Sequence, residues 1–204
     1  MNKTVYIFVP GILTVPGSAY NWCGRAVTWT HLHTQHKAEK VEYFTGPLSR
    51  PFGQSRRAHK LQRTLLFYNS WDIHVVAHSN GCDVVLDSLR SLHRDGGDFI
   101  RIKSLHFISA ACCRDFKKNG LNLWRDKVGR TVIYIATKDR PLKVADTFFG
   151  RLFGYGTLGR HGSINEAAPV ETVFRTWGHS DWFAPIRLEN TMRMITSDHL
   201  SSPQ

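Results

Sequence analysis

The stretch that decides the fold runs Trp71-Asp-Ile-His-Val-Val-Ala-His-Ser-Asn-Gly-Cys-Asp83. Residues 73–77 are mostly apolar and rich in β-branched side chains, which predicts a buried strand. Residues 77–81 carry small and polar side chains, which predict a sharp turn. From residue 82 to residue 89 the apolar side chains recur at the spacing of a helix. The stretch therefore predicts a strand that passes into a helix through a turn of only a few residues.

Ser79 lies in this turn, with Ala77 two positions before it and Gly81 two positions after it. So tight a turn strains the serine backbone, and bulky side chains at the two flanking positions would collide. This is the layout of a nucleophile elbow, although Ala77 replaces the usual first glycine. The alternative is that Ser79 only caps the helix that begins at Asn80. Because a lone serine is a poor nucleophile, the elbow interpretation requires a base, an acid and an oxyanion hole elsewhere in the chain.

The rest of the chain alternates between apolar strands and helical segments. Predicted strands cover residues 4–9, 41–45, 102–111, 131–137 and 170–177, besides the strand before Ser79. Predicted helices start near Ser18 and cover residues 55–67, 82–93 and 185–196. Strands that are continuously apolar and separated by helices predict a parallel sheet covered on both faces. We therefore predict an α/β fold, a three-layer doubly wound sandwich with a mostly parallel sheet of about six strands.

The length and composition of the chain indicate a globular protein and argue against a membrane protein or a zinc protein. The chain has 204 residues, 42% hydrophobic and 21% charged, which predicts one globular domain over residues 1–204 with a flexible tail at 197–204. The apolar run at the N-terminus is too short for a signal peptide, and no stretch is long enough to span a membrane. We therefore expect a cytoplasmic protein. No cysteine spacing matches a zinc site, so the four cysteines are expected to be free thiols.

The formal net charge of +11 is the unusual bulk property. Such an excess of lysine and arginine could attract an anionic surface. However, the basic residues are spread along the chain, and their densest group, residues 50–63, surrounds one predicted helix. No motif that reads nucleic acid accompanies the charge, so nucleic-acid binding is not favoured as the main function. The sequence leaves the oligomeric state open.

In a doubly wound sheet the chemistry gathers at the carboxyl ends of the strands. The base should be a histidine that follows a late strand, and His179 stands just past the last one, after Gly178. The alternative for His179 is an ordinary surface loop histidine, and His161 is the reserve candidate for the base. His78 precedes Ser79, but its side chain is expected to point away and to have a structural role.

The acid should follow another strand and orient the imidazole. Asp139 lies two residues after the strand at 131–137 and is our candidate, although it could be an ordinary turn aspartate. Asp115 is a weaker alternative, and Asp146 is a further one. Asp181 is so near His179 in sequence that we expect it to cap the turn that follows it. The chain order is then Ser79, Asp139, His179.

The oxyanion hole needs two main-chain N–H groups that point at developing negative charge. The N–H of Asn80, just after the serine, is one candidate. The other is the N–H of Ile12, in the loop after the first strand, where Gly11 lets the backbone turn inward. The alternative is that Pro10 and Gly11 simply end a strand.

With these motifs the chain resembles the α/β-hydrolase fold superfamily over nearly its whole length, and compact serine esterases and lipases in particular. The matching stretches are Phe8-Val-Pro-Gly-Ile12, Ala77-His-Ser-Asn-Gly81, Thr137-Lys-Asp139 and Gly178-His179. Pro10, where many members have histidine, and Ala77 are departures that blur the subfamily. The order serine, acid, histidine is also the one that the superfamily uses.

The resemblance implies a serine hydrolase that cleaves carboxylic esters, small or lipid-like, through an acyl-enzyme and without a metal or other cofactor. A thioesterase, amidase or acyltransferase with the same triad remains open, as does a non-catalytic basic binding protein on the same fold. Leu13 and Val15 near the oxyanion hole, Trp182 and Phe183 beside the base, and the segment 148–155 could line an apolar acyl pocket. The aromatic residues among them could equally belong to the core. Residues 146–162, rich in glycine and aromatic residues, could form a flap.

Overall fold

A computed structural model of the chain describes residues 3–11, 21–43, 53–97, 99–146 and 156–197. The strands are β1 (Thr4–Val9), β2 (Lys37–Lys40), β3 (Asp72–His78), β4 (Ile102–Ile108), β5 (Thr131–Ala136) and β6 (Val170–Arg175). The helices are α1 (Trp22–His33), α2 (Gln54–Phe67), α3 (Gly81–Arg94), α4 (Phe116–Asn119), α5 (Arg140–Ala145), α6 (Leu158–His161) and α7 (Pro185–Thr196). Short 3-10 helices cover Leu121–Trp124 and Asp181–Phe183.

The described strands form one six-stranded sheet in the order β2-β1-β3-β4-β5-β6. Every neighbouring pair is parallel, so all carboxyl ends lie at the same edge. β3 lies near the middle, between β1 and β4, with Ala77 opposite Val9 and Phe107. The turn after β3 is therefore flanked by the loops that follow β1 and β4. The predicted parallel sheet of about six strands is confirmed.

Two apolar cores lie on opposite faces of this sheet, because successive residues of a strand point to opposite sides. Val75 packs in the core that includes Leu61 of α2 and Leu89 of α3. Its neighbour Val76 packs in the core that includes Ala26 of α1 and Met192 of α7. Helices thus cover both faces, which gives the three-layer doubly wound sandwich that the sequence predicts.

The second strand lies earlier than predicted. Residues 37–40 pair with β1, whereas the described part of the predicted 41–45 strand, residues 41–43, lies outside any strand. β2 is an edge strand with the sequence Lys-Ala-Glu-Lys, and Ala38 is its one buried residue. Because charged side chains dominate it, the strand has no apolar signal. Val41 is buried, and its N–H still donates to the carbonyl of Phe8 at 2.9 Å.

Other boundaries differ by a few residues for local reasons. β4 ends at Ile108 rather than near residue 111 because Ser109 has a φ of 44°, which turns the chain out of the ladder. Helix α1 begins at Trp22, where the Asn21 side chain accepts a hydrogen bond from the Cys23 N–H. The start predicted near Ser18 lies outside the described residues, as does the predicted tail apart from Ser197. Helix α7 has the bounds predicted for it.

Two further features bear on the class of protein. None of the helices in the described ranges combines the length and apolar character that a membrane span requires. All four cysteines are free, and all are buried except Cys113.

Candidate active site

Ser79 occupies the turn between β3 and α3 in a left-handed conformation, with φ of 54°. Such a conformation costs a non-glycine residue energy, so the surrounding structure must hold it. The Ser79 N–H donates to the carbonyl of Ile108 at 3.0 Å, and its own carbonyl accepts from Ala111 N–H at 3.1 Å. These bonds tie the turn to the end of β4. The strained serine that the elbow motif predicts is therefore present.

Gly81 is required because α3 passes very close to the end of β1. A Cβ atom at this position would lie 2.5 Å from the carbonyl oxygen of Pro10 and 2.6 Å from that of Val9. Both are main-chain atoms that cannot move aside cheaply. The absence of a side chain at residue 81 thus lets the elbow helix start directly against the loop after β1.

Replacing Gly81 with alanine is expected to lower the free energy of unfolding by about 1–3 kcal/mol, the usual cost of overpacking. Urea unfolding of G81A against the parent protein measures this. The matched control is G24A, within helix α1, where a new Cβ meets nothing within 4 Å. Alanine there should stabilise by about 0.5–1 kcal/mol through its higher helix propensity. Equal effects of the two changes would contradict the close approach.

His179 and Asp139 form a buried pair, with His179 Nδ1 2.7 Å from Asp139 Oδ2. The Asp139 side chain is 1% exposed and the His179 side chain 14% exposed. The helix that follows Asp139, α5, also holds its side chain, because Asp139 Oδ1 accepts a hydrogen bond from Leu142 N–H at 2.8 Å. A carboxylate only accepts, so Nδ1 of His179 carries the hydrogen and Nε2 of the neutral ring is the basic nitrogen. A catalytic base and its orienting acid require a contact of this kind.

The other candidate acids have different partners. Asp115 caps α4 by accepting from Lys117 N–H at 3.0 Å and from Lys118 N–H at 3.3 Å. Asp146 lies 3.1 Å from the ring of His161, the reserve candidate for the base. His161 and Asp146 thus pair with each other near the surface, in a contact that does not involve Ser79.

Asp181 braces the loop that carries His179. Its Oδ2 accepts from Gly178 N–H at 2.9 Å and from Arg187 at 2.5 Å. These two donors, the Gly178 N–H above all, lower the pKa of Asp181. The prediction that Asp181 caps the turn after it is wrong, since the side chain reaches back to residue 178. Arg187, on α7, favours this geometry because it binds the same carboxylate oxygen. The closeness of Asp181 to His179 in sequence does not reveal this contact.

His78 does not point away from the candidate site, contrary to the prediction. Its Nε2 lies 3.1 Å from the main-chain oxygen of His179, and the two imidazole centroids are 4.8 Å apart. Because His78 immediately precedes Ser79, this contact brings the serine turn and the histidine loop together. The sequence gives no signal for it, since the two residues are 101 positions apart.

The aromatic pair after His179 belongs to the core. Trp182 is fully buried, and its Nε1–H donates to the Ser109 hydroxyl at 3.2 Å. Phe183 stacks on Trp22 with ring centroids 3.9 Å apart. Of the two alternatives for these side chains, the core is therefore the correct one. The remaining candidate pocket residues, Leu13, Val15, Phe148, Phe149, Phe153 and Tyr155, lie outside the described residues, as does most of the predicted flap.

One of the two predicted oxyanion donors can be located. Asn80 is buried. Its main-chain N–H makes no hydrogen bond to any residue that the structure describes. Ile12 lies outside the described residues. However, a Cβ atom at Gly11 would come 2.9 Å from Ser79 Cβ, so the loop after β1 does pass against the serine.

Among the described residues, no group of three histidine, cysteine or acidic side chains could hold a metal ion.

A cavity of about 470 Å³ lies at the opposite edge of the sheet. It is lined by residues at the starts of β5 and β6, including Thr131 and Val170. Because Ser79 follows the carboxyl end of β3, this cavity is not part of the candidate site.

Comparisons with known proteins agree with this architecture. The mouse alpha/beta hydrolase domain-containing protein 10 is 12% identical with a TM-score of 0.60, over 98% of this chain and 92% of that one. A metagenomic carboxyl esterase is 14% identical with a TM-score of 0.54, over 97% and 77% of the two chains. An alpha-beta serine hydrolase homologue from Coxiella burnetii is 16% identical with a TM-score of 0.55, over 96% and 84%.

No protein-family model matches the sequence, and no curated protein matches it significantly. At such low identities the likeness to solved structures concerns the fold. Together with the parallel sheet and the helices on both of its faces, it shows that the chain has the α/β-hydrolase fold.

Proposed function

We propose that this protein is a serine hydrolase that cleaves carboxylic esters, with Ser79 as nucleophile, His179 as base and Asp139 as orienting acid. The observation that carries the proposal is the left-handed Ser79 at the end of β3, beside a loop whose histidine is bonded to a buried carboxylate at 2.7 Å. A strained serine and a buried histidine–aspartate pair each have structural explanations when they occur alone. Their convergence at one edge of the sheet is what favours catalysis.

In the proposed reaction the Ser79 hydroxyl attacks the ester carbonyl carbon, and Nε2 of His179 takes the hydroxyl proton. Asp139 stabilises the imidazolium that forms. The N–H of Asn80, with that of Ile12 as the proposed second donor, stabilises the oxyanion. The alcohol leaves with the proton from His179, which gives an acyl-serine. Water, deprotonated by His179, then attacks the acyl-serine and releases the carboxylic acid.

The proposed substrate is a small or lipid-like ester. Charge suggests one refinement, because Lys138, Arg140 and Lys143 are exposed and flank the buried Asp139 along the chain. With a net charge of +11, these cations favour esters that carry negative charge or lie at an anionic surface. The same triad could act on thioesters or amides, or transfer the acyl group to an acceptor other than water.

A labelled fluorophosphonate tests the proposal, because it reacts covalently only with an activated serine. We expect one label per chain on Ser79, followed by loss of activity on p-nitrophenyl esters. A panel of esters and thioesters with matched acyl chains then measures which bond is preferred. A protein that stays unlabelled, and instead binds anionic vesicles or DNA with strong salt dependence, would contradict the hydrolase proposal in favour of a binding protein.

A further inference from the structure

His78 lies between the two loops that flank Ser79. At one ring nitrogen, Nε2 lies 3.1 Å from the main-chain oxygen of His179, in the loop after β6. At the other, a Cβ atom placed on Gly11 would come 3.2 Å from Nδ1, so the loop after β1 passes against it. The imidazole therefore contacts the loop of the proposed base and the loop of the proposed oxyanion donor.

The bond to His179 determines the tautomer of His78. A carbonyl oxygen can only accept a hydrogen bond, so Nε2 of His78 must carry the hydrogen and donate it. The edge-on rings of Phe183 and Trp22 lie 5.1 Å and 6.1 Å from the His78 ring, with interplanar angles of 86° and 81°. These aromatic contacts keep the donor directed at the His179 carbonyl.

The same environment keeps His78 uncharged. Burial above all, and then the nearby His179 side chain, lower the pKa of His78 to about 3, while the bond to the His179 carbonyl acts in the opposite direction. A neutral donor suits this position, because His179 becomes a cation during the proposed reaction. A second cation with its centroid 4.8 Å away would oppose that step.

We propose that His78 is a positioning residue, whose Nε2–H holds the main chain of His179 so that the imidazole stays aligned with Ser79. The inference rests on the proposed function. His78 acts through His179 and does not touch the substrate. Its loss should therefore slow the acylation of Ser79 and leave substrate binding nearly unchanged, since small misplacements of a catalytic group are costly.

The test compares H78Q with H78M. The two side chains have similar length, but only the glutamine amide can donate a hydrogen bond near the position of Nε2. We expect H78Q to react with fluorophosphonate within about threefold of the parent rate, and H78M to react about 10- to 100-fold more slowly, the scale expected for a misaligned catalytic group. With an ester substrate the loss in H78M should fall on kcat, with KM nearly unchanged.

His74 supplies a matched control. It is buried on the same strand, and its Nδ1 lies 2.7 Å from the Ser104 hydroxyl. Because His74 and His78 are four residues apart in a strand, their side chains point to the same face. H74Q and H74M should change stability, yet both should label at nearly the parent rate.

The outcomes separate the two proposals. Equal labelling rates for H78Q and H78M, with a labelled parent protein, would overturn the role of His78 and leave the hydrolase proposal standing. An unlabelled parent protein would overturn both. If H78M does not fold, H78N replaces it, because its shorter amide cannot reach the His179 carbonyl. H78N should then react at least about tenfold more slowly than H78Q, and equal rates would overturn the inference.

Discussion

Replacing Ser79 with alanine is expected to remove both ester hydrolysis and fluorophosphonate labelling. In serine hydrolases the loss of the nucleophile lowers kcat by about 10⁶-fold, because the remaining triad cannot form an acyl-enzyme. The fold should survive, since the turn is held by main-chain hydrogen bonds of residue 79 that alanine keeps. The two measurements are turnover of a p-nitrophenyl ester and the thermal midpoint of the same preparation.

A second variant uses the backbone strain. Ser79 has a φ of 54°, and a left-handed conformation costs about 1–2 kcal/mol for a residue with a Cβ atom. S79G should therefore be inactive and more stable than the parent protein. This combination of lost activity and gained stability is expected of a strained catalytic residue and not of a helix cap.

Ser109 is the matched control for Ser79. It follows the neighbouring strand β4, is fully buried and has a φ of 44°. S109A loses the bond from Trp182, which should cost about 1–2 kcal/mol of stability. The folded S109A protein should still label within about threefold of the parent rate, as expected for a residue outside the chemistry. Labelling of S79A, or loss of labelling in S109A alone, would contradict the choice of nucleophile.

The sequence predicts the centre of this fold well because its strongest signals lie there. β3 is buried on both faces, so its apolar residues run continuously, and α3 follows with a clear apolar face. The fold requires Gly81 for a contact with the Pro10 carbonyl, and glycine is visible in the sequence. Placing chemistry at the carboxyl edge then brings Asp139 and His179 into consideration before any geometry is known.

What the sequence could not predict depends on contacts between distant parts of the chain. β2 consists of charged residues around Ala38 and becomes a strand only because β1 offers a partner for its main chain. The contact of His78 with the His179 carbonyl requires the β3–α3 turn and the loop after β6 to meet in space. Neither feature leaves an apolar period or a local motif, which are the signals that a single sequence carries.

The choice of Asp139 among four aspartates shows the same limit. Its position after a strand is shared by Asp115, and both side chains accept hydrogen bonds from main-chain N–H groups at the start of the next helix. From the sequence alone, each could be an ordinary cap. The separating observation is that Asp139 bonds His179 with one oxygen and Leu142 N–H with the other.

Replacing Asp139 with asparagine is therefore expected to separate the catalytic role from the structural one. Asparagine keeps an oxygen for the Leu142 N–H, so helix α5 should form as before. Its amide nitrogen, however, would donate to Nδ1 of His179 and place the ring hydrogen on Nε2. His179 could then no longer accept the serine proton, and a wrong tautomer of this kind lowers kcat by about 10⁴-fold.

D115N is the control that makes this result specific, because Asp115 is also a buried aspartate that accepts main-chain N–H groups, but its carboxylate caps α4. Asparagine is nearly as good a helix cap as aspartate, so D115N should keep kcat within about threefold of the parent value. Thermal midpoints of both variants show whether the fold is intact. If D139N keeps its kcat, or if D115N loses as much as D139N does, the bond between Asp139 and His179 is a structural contact and the acid must be sought elsewhere.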